Sequence, residues 1–207
     1  MKVKRIAVLV SGGGTNLQAL LDAQKAGDIS SGSISLVVSS RPGVYALERA
    51  AQNNVPAETL ARKKFAAQEE FDQALLKLLE QYRIDVVVLA GFLTILGPEV
   101  IQRYPNRILN IHPALIPSFC GKGFYGLKVH EAALARGVKV TGATAHLVNE
   151  EADGGPILLQ KAVEVAPDDT AETLQRRVME QAEWSLLPQA VELVCRKEGP
   201  LPRREEN

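Results

Sequence analysis

Two short motifs carry residues of the kind that transfer acyl groups. The first is Asn110-Ile111-His112-Pro113, at the end of an apolar run, and the second is the glycine-rich segment that begins at Asp153. Residues two apart in a strand point to the same face, so Asn110 and His112 would present an amide and an imidazole to one point. Pro113 ends the strand because it lacks an N–H. A donor, an acid–base group and an orienting carboxylate suit transfer of an acyl-type group.

The chemistry expected at this site is direct attack by an amine on a formyl or acyl carbon. The carbonyl oxygen becomes an oxyanion that needs donors about 2.7–3.1 Å away, which the Asn110 amide and a protonated His112 would supply. We expect the Asp153 carboxylate to orient His112 and to raise its pKa. No serine or cysteine nucleophile is required, although Cys120 follows in the same loop.

The other two histidines have weaker claims. His130 falls on a predicted surface helix, where we expect it to be solvated, and His146 shares a strand face with Thr144, as a pocket-wall or supporting residue. Three histidines scattered in this way lack metal-ligand spacing, so we expect no metal site. A lone histidine beside a core strand is more often a satisfied core residue. For His112, the coincidence with Asn110 favours a functional role.

A glycine-rich turn at residues 11–16 separates the first apolar run from the first predicted helix. Glycines let the backbone approach a ligand, and a helix N-terminus offers free N–H groups. Gly13, Gly14, Thr15 and Asn16 are therefore expected to hold an anion, most simply a phosphate. Leu17 takes the place of a third fingerprint glycine and there is no Walker lysine, which favours one terminal phosphate over a dinucleotide or a triphosphate. The alternative is a tight turn that binds nothing.

Composition narrows the classes of partner. The 207 residues are 46% apolar, and 24 Lys and Arg balance 24 Asp and Glu, so there is no overall basic field for nucleic acid. Cys120 and Cys195 are isolated thiols, as expected in a reducing compartment. The first apolar run is too short for a signal or membrane segment. We expect a cytoplasmic protein whose partners are small molecules, with no nucleic acid and no membrane.

Alternating strands and helices predict an α/β fold with a doubly wound, mostly parallel sheet and a C-terminal antiparallel strand pair. The main predicted elements are strands at 6–10, 34–38, 57–60, 85–89 and 107–111, helices at 17–26, 44–53, 65–82 and 128–135, and the antiparallel strands at 138–148 and 157–165. A last helix, capped by Thr170, is expected to run to Val194 and to kink or restart at Pro188.

Over nearly its whole length, from about residue 3 to about residue 194, the chain resembles the phosphoribosylglycinamide formyltransferases. The resemblance rests on the segments VLVSGGGTNLQAL, VVVLAGFLTIL, RILNIHPALIPSF and GATAHLVNEEADGGPIL. The NIHP and DGG motifs together are specific to enzymes that handle folate formyl groups, and the glycine loop narrows the match to the glycinamide ribonucleotide members. The family has a Rossmann-like half joined to a C-terminal half, with the folate site between them.

The resemblance implies transfer of a formyl group from 10-formyltetrahydrofolate, a cosubstrate, to the amine of 5-phosphoribosylglycinamide, without a metal. Asn110, His112 and Asp153 match the family's catalytic residues. The glycine-loop residues match its phosphate site, and Glu183 matches a carboxylate that holds the sugar or glycinamide part. Two segments match the lining of the pterin pocket: Leu93, Thr94, Ile95 and Leu96, and Asn149, Glu150, Glu151 and Ala152.

The resemblance also implies a single formyltransferase domain at 1–197. Its phosphate-binding half covers about 1–105 and its folate-binding and catalytic half about 106–197, while 198–207 are expected to be a flexible tail. Thr94 and Gln68 stand where some members carry arginine, so we expect the glutamate end of the folate to be held differently. The loop at 119–126 is longer than in some members and is a candidate lid. For the oligomeric state, we expect either a monomer or a homodimer.

Three other functions compete with this interpretation. A formyltetrahydrofolate hydrolase shares the NIH and GATAH segments but usually has an additional N-terminal regulatory domain. A methionyl-tRNA formyltransferase is expected to be longer, with a basic C-terminal domain. A non-catalytic nucleotide-binding module would use the glycine loop but would not need Asn110, His112 and Asp153 together.

Overall fold

A computed structural model describes residues 3–196, and the tail expected at 198–207 lies outside the described residues. Its strands are β1 (Lys4–Val10), β2 (Gly32–Ser39), β3 (Ala57–Thr59), β4 (Val86–Leu89), β5 (Ile108–His112), β6 (Val140–Leu147) and β7 (Ile157–Glu164). Its helices are α1 (Thr15–Ala26), α2 (Tyr45–Gln52), α3 (Gln68–Gln81), α4 (Pro98–Arg103), α5 (Leu127–Arg136), α6 (Ala171–Val178) and α7 (Trp184–Arg196), with a 3₁₀ turn at Arg62–Lys64 and a π-helical turn at Met179–Glu183.

Strand β1 runs through the middle of the core, which explains its unbroken apolar sequence. Ile6 and Val8 on one face pack into the cluster formed with α1, α2 and α7, whereas Ala7 and Leu9 on the other face pack with α3 and α4. A strand that is covered by helices on both faces has no solvent side and therefore shows no polar alternation. The doubly wound α/β fold predicted from the sequence is confirmed.

All the strands join one sheet in the order β3-β2-β1-β4-β5-β6-β7. The strands from β1 to β5 pair in parallel, and β6 and β7 are antiparallel, as predicted. The carboxyl ends of β1, β4 and β5 therefore meet at one edge, where parallel sheets place their ligands. The glycine turn follows β1 at this edge, and His112 is the last residue of β5.

The C-terminal helical segment differs from the single helix expected. Thr170 does cap α6, because its side chain accepts a hydrogen bond from the Thr173 amide. The α-helix is interrupted, however, by the π-helical turn at Met179–Glu183, not at Pro188, which lies inside α7. The regular α-helix resumes at Trp184. Because Pro188 has no N–H, it cannot donate a helical hydrogen bond to the carbonyl of Trp184, four residues earlier.

Two short elements have no counterpart in the sequence prediction. They are α4 and the 3₁₀ turn at Arg62–Lys64, each too short to give a clear periodic pattern. Pro98 is the first residue of α4, a position at which its missing N–H costs no helical hydrogen bond. Among residues 3–196, no helix combines the length and the apolar character needed to cross a bilayer.

Candidate active site

Asn110 and His112 occupy the end of β5, between a parallel and an antiparallel neighbour. Asn110 is paired with Leu89 of β4 on one side and with His146 of β6 on the other. His112 lies opposite Thr144. The two side chains share a face, as the spacing predicts, and both contact the carboxylate of Asp153.

The Asp153 carboxylate connects the strand end to the loop that follows it. Its Oδ1 lies 3.3 Å from Asn110 Nδ2, and its Oδ2 lies 3.5 Å from His112 Nδ1. The same Oδ2 accepts a hydrogen bond of 2.8 Å from the Gly121 amide. The structure thus brings together Asn110, His112 and Asp153, three residues that the sequence singled out.

The DGG motif has a backbone that few other residues could adopt. Asp153 has a φ of +57°, a left-handed conformation that Asp and Asn tolerate better than most residues. A Cβ on Gly155 would lie 1.8 Å from the carbonyl oxygen of Leu147. The loop therefore packs against the end of β6, and this close approach fixes where the Asp153 side chain begins.

His146 contacts both Asn110 and Asp153 directly, whereas the sequence suggested only a pocket-wall or supporting residue. Its Nε2 lies 3.0 Å from Asn110 Nδ2 and 3.5 Å from Asp153 Oδ1. Its Nδ1 lies 2.8 Å from the carbonyl oxygen of Leu147, so we assign the proton of the neutral ring to Nδ1. Nε2 can then accept from Asn110, which fixes the orientation of the amide.

The protonation of His112 differs from the expectation. Burial lowers the pKa of His112 below its ordinary value, and the Asp153 charge and the Phe119 carbonyl only partly offset this effect. Asp153 does act on the pKa of His112 in the expected direction, but desolvation of the imidazolium is the larger effect and leaves the pKa below its ordinary value. For Asp153, burial alone would raise the pKa, but contacts with His146, the Gly121 amide and His112 lower it.

The ring of His112 is held at both nitrogens. Nε2 lies 2.8 Å from the carbonyl oxygen of Phe119, which makes Nε2 the protonated nitrogen of the neutral ring, and Nδ1 faces Asp153. Phe119 itself has a φ of +50°. The loop that carries Phe119 thus contacts the imidazole directly.

His130 is not solvated, contrary to the expectation. It is 1% exposed on the inner face of α5, and neither of its ring nitrogens has a hydrogen-bond partner among the described residues. Burial lowers the pKa of His130 to about 4, and the charge of His112 contributes to this shift. The sequence predicts a surface helix at this position, whereas α5 packs against α6 and carries His130 on its buried side.

The glycine turn begins α1 with two different kinds of glycine. Gly14, at the N-cap, has a φ of +73°, and a Cβ there would lie 2.7 Å from the Cβ of Ala46. Gly12 and Gly13 have no atom within 4 Å of an added Cβ, so their backbone faces open space. Arg49 holds the turn by donating from Nε to the Gly13 carbonyl at 2.9 Å. This arrangement leaves room for a ligand beside the start of α1.

Asn16 and Glu183 form a buried pair behind that turn. Asn16 Nδ2 donates to Glu183 Oε2 at 2.8 Å, and Asn16 Oδ1 is buried without a partner among the described residues. Burial raises the pKa of the Glu183 carboxyl to about 7, although the hydrogen bond from Asn16 lowers it. Glu183 is the last residue of the π-helical turn, whose interruption of the helix accompanies this contact.

The two segments assigned to the pterin pocket differ in their burial. Leu93 and Ile95 are 50% and 80% exposed, respectively, whereas Leu96 is buried in the core. Thr94 is half-buried. The second segment, formed by Asn149, Glu150, Glu151 and Ala152, is exposed, and the Asn149 side chain accepts a hydrogen bond from the Glu151 amide.

The first segment is tied to both neighbouring elements. The Leu93 amide donates to Ser11 Oγ at 2.8 Å, which links the segment to the glycine turn. The Gln68 side chain donates to the carbonyl oxygen of Ile95 at 3.2 Å and so links it to α3. Among the described residues, no group of three or more His, Cys, Asp and Glu side chains is arranged to hold a metal ion.

Comparison with known proteins places this chain in a family. The Formyl transferase family model matches residues 4–191. A phosphoribosylglycinamide formyltransferase of Haemophilus influenzae is 41% identical over 186 residues, covering 90% of this chain and 84% of that protein. The human trifunctional purine biosynthetic protein adenosine-3 is 43% identical over 194 residues; the match covers 94% of this chain but only 18% of that longer protein.

Solved structures agree with these relatives. Glycinamide ribonucleotide transformylase 1 from Symbiobacterium toebii superimposes with a TM-score of 0.87 at 42% identity, covering 93% of this chain and 88% of that one. Phosphoribosylglycinamide formyltransferase from Bacillus halodurans gives a TM-score of 0.87 at 36% identity, covering 95% and 97%. The chain therefore belongs to the formyl transferase family, among the phosphoribosylglycinamide formyltransferases.

Proposed function

We propose that this chain transfers a formyl group from 10-formyltetrahydrofolate to the amine of 5-phosphoribosylglycinamide, a step of purine synthesis. The observation that carries the proposal is the convergence of Asn110, His112 and Asp153 at the end of β5, with contacts of 3.3 Å and 3.5 Å to the carboxylate. The names of the Haemophilus and Bacillus relatives support the same reaction.

The reaction is a direct displacement. The amine nitrogen forms a bond to the formyl carbon, the bond from that carbon to folate N10 breaks, and one proton moves from the amine to N10. The formyl oxygen carries negative charge in the tetrahedral intermediate and needs donors about 2.7–3.1 Å away. The Asn110 amide and His112 Nε2–H are the proposed donors.

Both donors already have partners in this structure. Asn110 Nδ2 contacts His146 and Asp153, and His112 Nε2 contacts the Phe119 carbonyl. The formyl oxygen must therefore replace at least the Phe119 carbonyl, which requires movement of the loop at 119–126. This requirement supports the role of that loop as a lid over the site.

The lowered pKa of His112 assigns the imidazole a second role. Its Nδ1 is unprotonated in the neutral ring, so it can accept, through an intervening water, the proton that the attacking amine loses and then release that proton to folate N10. The imidazolium then has its charge 3.5 Å from Asp153 Oδ2. Asp153 would stabilise this charge during the reaction and orient the ring before it.

Substrate binding is assigned to the opposite side of the site. Gly13, Gly14, Thr15 and Asn16 surround the start of α1, where backbone N–H groups and the helix dipole favour a phosphate. The unpartnered Asn16 Oδ1 and the buried Glu183 carboxyl are hydrogen-bond acceptors, so they suit the hydroxyls of a ribose or the amine of the glycinamide part.

The folate would lie along the two segments that match the family's pterin pocket. We propose that Leu93, Thr94, Ile95 and Leu96 contact it from one side, and Asn149, Glu150, Glu151 and Ala152 from the other. The phosphate site then belongs to the half at about 1–105 and the catalytic residues to the half at about 106–197. The proposed location is the cytoplasm, the proposed partners are these small molecules, and a monomer or a homodimer would serve equally.

The test is a comparison of folate turnover with and without the amine. The purified protein is mixed with 10-formyltetrahydrofolate, and the folate absorbance is followed before and after addition of 5-phosphoribosylglycinamide. We expect deformylation only when the amine is present, with formation of the N-formyl product in equal amount. Loss of the formyl group without the amine would identify a hydrolase, and absence of turnover would favour a binding module.

A further inference from the structure

Helix α2 holds the backbone of the glycine turn from one side. The Ala46 amide donates to the Gly12 carbonyl at 3.3 Å, and Arg49 Nε donates to the Gly13 carbonyl at 2.9 Å. Residues three apart on a helix are neighbours on its surface, so both donors lie on the face of α2 that meets the turn. Two consecutive peptide carbonyls are therefore directed toward α2.

The amides of the same two peptide units are directed away from α2. In a planar trans peptide the N–H lies opposite the C=O, so the Gly13 and Gly14 amides face the other side of the turn. Among residues 3–196, neither amide donates to a backbone carbonyl. Gly14 has a left-handed backbone with a φ of +73°, and successive N–H groups in such a turn form a concavity that binds anions. The row continues into α1, whose first amides have no acceptor within the helix.

Arg49 is itself held by neutral partners. Its Nη1 donates to Gln18 Oε1 at 2.9 Å, and its guanidinium lies 4.8 Å from the centre of the Tyr45 ring. The side chain is half-buried, and within the described residues it forms no ion pair with a carboxylate. A planar guanidinium that is fixed in this way presents its Nε–H in one direction. That direction is the carbonyl of Gly13.

The turn needs this support because its glycines do not fix their own backbone. An added Cβ on Gly12 or Gly13 has no atom within 4 Å, so the 13–14 peptide is free to rotate when the Arg49 bond is lost. Residues 11–16 include no lysine or arginine, so the amides must bind the anion. Asn16 beside them is only 9% exposed, and its Oδ1 has no partner among the described residues, which independently points to a ligand here.

We propose that Arg49 is a positioning residue for the phosphate of the substrate. By holding the Gly13 carbonyl against α2, it directs the Gly14 amide into the concavity, and it does not contact the phosphate itself. This inference rests on the proposed function, which assigns the phosphate to the turn. It adds that the preference for a phosphorylated over an unphosphorylated substrate depends on a side chain of α2, outside the turn.

Two substitutions at position 49 separate the hydrogen bond from the charge. The amide nitrogen of glutamine is as many bonds from Cα as Nε is in arginine, so Arg49→Gln keeps a donor for the Gly13 carbonyl and loses the charge. In Arg49→Met a methyl group takes that place, so both the donor and the charge are lost. Lys77→Met is the matched control, because it removes a cation from an exposed position of α3, on the other face of the sheet.

The measurement is the Kd of each protein for 5-phosphoribosylglycinamide and for glycinamide riboside, which lacks the phosphate. Calorimetric titration without folate gives both values. We expect Arg49→Met to raise the Kd for the phosphorylated compound by about 5- to 20-fold, the size of one lost hydrogen bond, and to leave the Kd for the riboside as in wild type. Arg49→Gln and Lys77→Met should stay within about 2-fold of wild type for both compounds.

Nuclear magnetic resonance of the amides gives a second measurement with inorganic phosphate as the probe. In wild type and Arg49→Gln, the Gly13 and Gly14 amide resonances should shift as phosphate is added, whereas in Arg49→Met the Gly14 shift should be lost. Absence of both shifts in wild type would overturn the proposal. Equal loss of affinity in the Gln and Met variants would also overturn it, because the charge itself would then reach the phosphate.

These measurements need no turnover, so they separate this inference from the proposed reaction. Phosphate-dependent affinity that falls in Arg49→Met and is kept in Arg49→Gln would support the role of Arg49 even if no formyl group were transferred. Formyl transfer by Arg49→Met with the wild-type KM for 5-phosphoribosylglycinamide would keep the proposed function and overturn the role of Arg49. Loss of affinity for both compounds in Arg49→Met would overturn it as well, since the effect would not be specific to the phosphate.

Discussion

The Asp153 carboxylate lies 3.5 Å from Nδ1 of His112, and its position does not depend on that histidine alone. Its Oδ2 also accepts the Gly121 amide at 2.8 Å, and its Oδ1 contacts the Asn110 amide at 3.3 Å. The carboxylate is therefore fixed in place while the pKa of His112 is still lowered by burial. A preorganised negative charge beside a neutral imidazole favours proton uptake by that ring during a reaction.

Replacement of Asp153 by asparagine should remove this effect without disturbing the loop. Asparagine tolerates the left-handed backbone at φ +57° as aspartate does, so the fold should be kept. We expect kcat of formyl transfer to fall by about 10²- to 10⁴-fold. Steady-state kinetics together with circular dichroism would check this, with Asp168→Asn, a change at an exposed residue outside the site, as control.

The pH profile of the same variant distinguishes a role through His112 from a structural one. The charge of Asp153 raises the pKa of His112, so its removal should move the acid limb of kcat/KM to lower pH. In wild type this limb should lie below the ordinary histidine value of 6.5, because burial is the largest influence on His112. A limb at the same pH in both proteins would disprove the coupling between the two side chains.

Gly13 offers a direct test of the phosphate loop, whereas Gly14 does not. A side chain at Gly14 would meet Ala46 at 2.7 Å on a left-handed backbone, so its replacement would destabilise the fold. At Gly13 an added Cβ has no neighbour within 4 Å. We expect Gly13→Val to raise KM for 5-phosphoribosylglycinamide by about 10- to 100-fold with little change in kcat, since charge-assisted hydrogen bonds to the phosphate would be lost.

The dephosphorylated substrate is the control for that variant. Glycinamide riboside lacks the group that the loop would hold, so its KM should be similar in wild type and Gly13→Val. If Gly13→Val raised both KM values equally, the loop would shape the pocket without binding the phosphate.

The elements that the sequence predicted best are those whose burial is uniform along the chain. The apolar runs of β1, β4 and β5 could be identified because helices cover both faces of the sheet. That Asn110 and His112 share one face of β5 followed from strand periodicity alone. The glycines after Asp153 also marked a loop between the two antiparallel strands, whereas the left-handed backbone of Asp153 was seen only in the structure.

The features that sequence patterns missed depend on contacts between distant segments. Asn16 and Glu183 are 167 residues apart, and no local pattern indicates their hydrogen bond or the π-helical turn beside it. Burial of His130 depends on the packing of α5 on α6. For the pKa of His112, the attraction of one carboxylate was visible in the sequence, whereas the extent of desolvation, which is the larger effect and lowers the pKa, was not.

Glu183 should make stability depend on pH in a direction opposite to that of most carboxylates. Its pKa is raised from 4.5 to about 7 in the folded protein, so its contribution to stability is complete below pH 4.5 and is lost as pH rises through 7. This loss amounts to about 3 kcal/mol at most. Glu183→Gln should abolish it, and urea denaturation at pH 5 and pH 8 would measure the difference.

The control for this experiment lies on the same turn. Glu180 is exposed, so Glu180→Gln is expected to keep the pH dependence of wild type. If Glu183→Gln also kept the wild-type slope, the Glu183 carboxyl would not be desolvated in solution as the structure places it.

His130 should produce the opposite slope in nearly the same pH range. Its pKa is lowered from 6.5 to about 4 in the folded protein, so the unfolded chain binds the extra proton first and stability is lost as pH falls from 6.5 to 4. His130→Leu removes this contribution, worth about 3 kcal/mol at most, and should flatten the acid side of the stability curve. Glu131→Gln, at an exposed position of α5, is the control. The contributions of Glu183 and His130 to the pH dependence of stability oppose each other in wild type, so each is measured only in its own single variant. A double variant with the same plot of stability against pH as wild type would confirm that the two contributions cancel.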